Sequence, residues 1–218
     1  MPKTRLLVIL GLAAVISSQA MAQLPAKRPA IANQSLSTQD RTLVDQASAY
    51  LEALGQAKGR FVQTDPRGSQ LRGDLYLKRP GKMRFEYDPP QGLLVVSDGY
   101  NVSVADNRLK TFEKYPLGAT PLALLLARHV SLDKGVVIDQ VSRSADSFTI
   151  TARDGRKQAE GRIRLVLSTA PLALKSWTVT DAQGQSTRID LTELKVASGL
   201  SASLFQLKDP RILPPSRR

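Results

Sequence analysis

Cysteine is absent from the 218 residues, and histidine occurs once, as His129. Without cysteine there is no disulfide to staple an exported fold, no thiolate set for zinc and no residue to carry a covalent lipid anchor. A Ser-His-Asp relay would have to use the one imidazole, yet no serine sits in a G-x-S-x-G turn. His129 falls instead where a helix C-terminus would place a basic cap. No glycine-rich loop leads into a helix to cradle phosphate. The carboxylates Asp74, Glu86, Asp88 and Asp98 are explained by strand ends and turns. These gaps leave no catalytic residue, metal or cofactor to assign, and the chain reads as a non-enzyme.

Acidic residues are scarce too, with 19 Asp and Glu against 31 Lys and Arg, a formal charge of +12. Such an excess draws a protein toward anionic surfaces or acidic partners. No zinc-finger, RNP-type or basic-zipper pattern accompanies it, so nucleic acid is not an expected partner. The leading apolar run, Leu6 to Ile16, falls short of the ~20 residues needed to span a bilayer. It follows Lys3 and Arg5 and is closed by Ala20-Met21-Ala22, the order of a secretory signal peptide cut after Ala22. Residues 1–22 therefore read as an export signal, residues 23–36 as a loose leader rich in Pro and Ala, and residues 37–218 as one domain. Removal of Lys3 and Arg5 with the signal leaves +10.

What the chain does contain is strand pattern. From Leu71 to Gly99, Leu75 and Leu77 alternate with Asp74, Tyr76 and Lys78, and Met83, Phe85 and Tyr87 alternate with Lys82, Arg84 and Glu86. That period of two predicts strands with one apolar and one wet face, joined at Pro80-Gly81 and turned again at Asp98-Gly99. Similar runs are predicted at 60–64, 93–97, 101–105, 109–114, 136–141, 147–152, 162–167, 173–180 and 186–194, about eleven strands in all. Two helices interrupt them. Ser37 and Asp40 resemble a capping box, after which Leu43, Ala47, Leu51 and Leu54 form a stripe that can cover the sheet's apolar face. Thr120 and Pro121 open a second helix, ending at Arg128 and His129, whose middle is apolar on every side and must be enclosed. The expected fold is α+β, a single domain. An apolar sheet face with a leucine-rich helix against it can be an ordinary core or a pocket for an apolar ligand with a movable lid.

The order of residues in Gly73-Asp74-Leu75-Tyr76-Leu77-Lys78-Arg79-Pro80-Gly81, Met83-Arg84-Phe85-Glu86-Tyr87 and Leu94-Val95-Val96-Ser97-Asp98-Gly99 resembles the signature region of the periplasmic outer-membrane lipoprotein carriers, the LolA family. Phe205-Gln206-Leu207 with Asp209-Pro210 resembles the family's closing motif. Phe85 stands where many members have Trp, and Val102 and Ser103 where another Trp is common. The resemblance implies an incomplete, strongly curved antiparallel barrel with helices as a lid over an apolar cavity. It implies a monomeric periplasmic carrier that takes triacylated lipoproteins from an inner-membrane ABC-type extractor. Delivery would be to an outer-membrane acceptor or to the outer membrane itself. Arg79 would tie lid to barrel by hydrogen bonds, and Leu75, Leu77, Met83, Phe85, Tyr87, Leu122, Leu125 and Leu126 would line the acyl cavity. The other reading is an exported binding protein for a phospholipid or glycolipid built on the same half-barrel.

Overall fold

A computed structural model describes residues 36–127, 135–156 and 159–209. The export signal, nearly all of the leader, Arg128, His129 and the basic end beyond Asp209 lie outside the described residues. Helix α1 (Thr38–Ala53) begins at Ser37, whose Oγ accepts a hydrogen bond from the Asp40 N–H and donates one to the Asp40 carboxylate. One orphan N–H of the first turn is thereby satisfied, and an acid sits at the positive end of the helix. Val44, Ala47 and Leu51 are its buried side.

Six strands follow: β1 (Gln56–Thr64), β2 (Gln70–Lys78), β3 (Lys82–Tyr87), β4 (Leu93–Asp98), β5 (Asn101–Asp106) and β6 (Thr111–Pro116). A 3-10 turn (Leu117–Ala119) and helix α2 (Leu122–Leu126) intervene before β7 (Val136–Arg143), β8 (Ser147–Asp154), β9 (Arg162–Thr169), β10 (Leu172–Thr180) and β11 (Ser186–Val196). All eleven strands form one antiparallel sheet in the order β6-β5-β4-β3-β2-β1-β11-β10-β9-β8-β7. Strands β6 and β7 are its two margins and do not pair with each other, so the wall is an unclosed barrel and the fold is α+β.

Alternation decides which side is filled. In β2 and β3, Leu75, Leu77, Met83, Phe85 and Tyr87 are buried and the residues between them are not. These side chains join those of α1, α2 and strands β8 to β11 in one core on the concave side. Gly73 lies opposite Phe61 of β1 and Tyr87 of β3. Lacking a side chain, it lets Phe61 meet Tyr87 across β2 with ring centres 5.2 Å apart, and Phe85 at 5.0 Å, both edge to face. On the convex side the strap after β11 crosses β3 and β4 through a 3-10 turn (Ala202–Phe205), buries Phe205 and receives hydrogen bonds from Lys78 to the Leu200 carbonyl and from Arg84 to that of Leu204.

Several sequence expectations need correction. Strand β6 starts at Thr111, not Leu109, because the Asp106 carboxylate accepts from the Arg108 and Leu109 N–H groups and holds them in a turn that ends with Lys110 at φ 53°. Strand β1 starts at Gln56, with Gly59 inside it. In β10 the alternation fails at a bulge around Lys175, which brings both Leu174 and Trp177 into the core. Thr120 does not cap α2: its Oγ1 donates to the Leu117 carbonyl, closing the turn before the helix. The helix itself is only five residues long, because Ala127, at φ −52° and ψ 147°, has already left helical space.

Gly81 turns the β2–β3 corner at φ +77°, and a Cβ there would meet the Gly99 Cα at 2.7 Å. Gly81→Ala is expected to destabilise the fold by about 2 kcal/mol in urea unfolding, whereas Gly55→Ala, which meets nothing within 4 Å, should change stability by under about 0.5 kcal/mol.

Candidate functional site

The hollow of the sheet is built around the corner Arg79-Pro80-Gly81. A helix end leaves carbonyls without partners, and a cation is the favoured neighbour there. The Arg79 guanidinium donates to the carbonyls of Leu125 and Ala127, the latter at 2.5 Å, and the Gly81 N–H donates to that of Leu126 at 2.9 Å. Three consecutive carbonyls at the end of α2 are thus held by one hairpin corner. The Arg79 N–H also donates to Gly55, just past α1, at 2.8 Å, so both helices converge on this corner. The Ser97 hydroxyl, itself buried, donates to the Gly81 carbonyl at 2.6 Å. Burial lowers the Arg79 pKa, partly countered by the nearby charge of Glu52. It remains a cation at any physiological pH.

On one side of α2 the packing is tight. Leu75, Leu77, Met83, Arg79 and Leu125 surround a space of only about 10 Å³ with Leu51, Leu54, Leu174, Trp177, Leu191 and Leu194. On the other side Phe85, Tyr87 and Leu122 line a cavity of about 130 Å³ with Val95, Val102, Trp177, Val179 and Ile189, and with the polar Gln63, Thr120, Asp181, Gln185 and Thr187. Leu126 lines neither space. It is buried beneath the helix, and its carbonyl is the one taken by Gly81. Seven of the eight apolar positions expected to line the hollow therefore divide between a filled half and a hollow half of one concavity, and Leu126 belongs to neither. Leu122, Ala123 and Leu124 are only partly covered, so α2 is less enclosed than its composition predicts.

Strands β10 and β11 supply lining that the strand pattern alone did not flag. Trp177 was readable as an aromatic in a strand, but the bulge beside it decides its direction. Gln63 receives a hydrogen bond from the Tyr87 hydroxyl, at 2.5 Å. The acids of the signature stretch have structural partners: Asp74 and Asp88 both bind Arg60 on the convex side, at 3.1 and 2.6 Å. These pairs are half-exposed and contribute little to stability. No cluster of metal-ligating side chains occurs among the described residues.

Burial raises the Tyr87 pKa well above the ordinary tyrosine range. In the unfolded chain Tyr87 ionises near pH 10, roughly the ordinary tyrosine value, so its contribution to stability is complete below that pH and is lost progressively above it. Tyr87→Phe is expected to flatten the fall in stability between about pH 10 and 11.5, read from urea unfolding at each pH. Its folded-state absorbance titration at 295 nm should match wild type up to about pH 11, since the phenol it removes does not ionise there.

Residues 52–208 match the family model described as outer membrane lipoprotein carrier protein LolA. A protein of Pseudomonas syringae pv. tomato named outer-membrane lipoprotein carrier protein is 32% identical over 191 residues, covering 77% of this chain and 84% of its own. One of the same name from Chromohalobacter salexigens is 29% identical over 178 residues, covering 76% of this chain and 82% of its own. A DUF1329 family protein from Desulfovibrio piger shares the fold at 10% identity, with a TM-score of 0.50 and coverage of 76% of this chain and 96% of its own.

Proposed function

This chain belongs to the outer-membrane lipoprotein carrier family, and on that premise we propose that it is a non-enzymatic periplasmic shuttle for the acyl chains of triacylated lipoproteins. Cargo is received from an inner-membrane ABC-type extractor and passed to an acceptor at the outer membrane, or to that membrane directly. The observation that carries the reading is an apolar helix lodged against the inner face of an unclosed sheet, with its end carbonyls held at one corner and a cavity alongside.

The sizes support a closed state. Ligand pockets generally run from roughly 300 Å³ upward, and the cavity is about 130 Å³. An acyl chain enters only if α2 yields its place. Burying one methylene is worth about 0.8 kcal/mol, so a chain of roughly sixteen carbons gains about 12 kcal/mol on leaving water. Displacing Leu122, Leu125 and Leu126 costs about 2 kcal/mol for each side chain exposed, and the hydrogen bonds of Arg79 and Gly81 to the helix end are lost as well. Re-forming them drives release. The lid is thus a competitor for the site its own side chains fill, and affinity is set by a difference between two large terms.

Arg79→Leu removes two of the three hydrogen bonds that favour closure. It is expected to hold acylated cargo at least about tenfold more tightly and to hand it on correspondingly more slowly to acceptor membranes, while wild type and Arg79→Lys release faster. Unchanged loading and delivery would show that Arg79 has no part in the exchange. Mass spectrometry of material bound to protein purified from the periplasm tests the cargo: acylated protein is expected, and free phospholipid alone would favour the other lipid-binding reading.

A further inference from the structure

Strands β1, β10 and β11 share a gradient along their inward faces. On β10 the inward residues Trp177 and Val179 lead to Asp181 in the turn that follows, and on β11 Ile189 and Thr187 lead back to Gln185 in the same turn. Ile189 pairs with Gln63 of β1, and Val179 with Thr187. Every one of these side chains lines the cavity, apolar at the Trp177 end and polar at the turn. The hollow therefore has an oily floor and a polar mouth.

Within that mouth Asp181 is peculiar. Its Oδ1 accepts from the N–H groups of Gln183 and Gln185, at 2.9 and 2.8 Å, and this builds the turn. Its Oδ2 is buried and accepts no hydrogen bond from any of the described residues. A turn of this kind is served equally by Asp or Asn, since one side-chain oxygen suffices. What the turn does not explain is the second carboxylate oxygen, shielded from water with no donor, an arrangement that costs free energy unless a partner arrives.

We propose that Asp181 Oδ2 accepts a hydrogen bond from an N–H on the linkage between a bound acyl chain and its peptide, so that the site selects amide-linked chains over ester-linked ones and over lipids with anionic phosphate headgroups. This rests on the carrier reading above and names the part of the cargo that is recognised. The acyl chain lies along the apolar floor, and the first polar atoms beyond it reach the level of Asp181, Gln185 and Gln63. An amide presents a donor there and an ester only acceptors. A phosphate would meet a carboxylate, a like-charge contact that opposes binding.

The test uses the mature chain and displacement of a fluorescent fatty-acyl probe by three competitors: an N-palmitoyl peptide, the same peptide joined to palmitate through an ester oxygen, and phosphatidylglycerol. Wild type is expected to prefer the amide over the ester by roughly tenfold. In Asp181→Asn, which keeps an oxygen for the turn and presents an NH2 donor to the linkage, the ratio should fall close to one, and phosphatidylglycerol should compete better than with wild type. Near-UV circular dichroism verifies the fold, and Asp181→Ser is read in the same way should the Asn variant not fold. Equal competition by amide and ester in wild type overturns the proposal, as does a preference that survives in the variants. Failure of all three competitors to displace the probe from wild type would instead overturn the carrier reading, and the recognition of the linkage with it.

Discussion

Carbonyl groups at the end of a buried helix must find donors, and in this protein the donors come from a single hairpin corner. Arg79 and Gly81 take the carbonyls of Leu125, Leu126 and Ala127, while the backbone of Arg79 takes that of Gly55. A five-residue helix has almost no stability of its own. Its position is thus decided by those few polar contacts and by the leucines it buries, not by helix propensity. Arginine suits the task because its planar fork reaches two carbonyls at once, and it keeps its charge even when half-buried.

The same economy governs the hollow. One side of α2 is packed to near solidity and the other leaves a cavity of about 130 Å³. A core closed on both sides would gain more from burial but would have nothing to exchange. A cavity large enough for a whole chain when empty would expose its apolar wall to water or collapse. In the proposed exchange, partial filling by α2 would avoid both outcomes, and binding would depend on how firmly the corner holds.

Much of this was legible from residue order. Alternation in 74–78 and 82–87 assigned the inward face correctly, because a strand buried on one side has no freedom in which residues it hides. Ser37 and Asp40 marked the start of α1 through local hydrogen bonding that operates whatever the tertiary context. The eleven strands followed from turn residues between short apolar runs. Less legible were features set by contacts distant in sequence. Whether Thr120 caps a helix or closes the preceding turn depends on the Leu117 carbonyl. The length of α2 depends on a hairpin some forty residues earlier. The bulge at Lys175 that turns Trp177 inward leaves no trace in the residue pattern. Asp181 reads in sequence only as a turn former, since Oδ1 alone satisfies that signal.

The unpaired margins at β6 and β7 have a mechanical corollary. In a closed cylinder the circumference is fixed by the number of strands and their stagger, and swelling means tearing a seam. Here the seam was never sewn. The wall can splay like a cupped palm by small changes of twist spread over ten strand junctions, each keeping its ladder intact. An open wall has the freedom to change its girth by flexure instead of by unfolding.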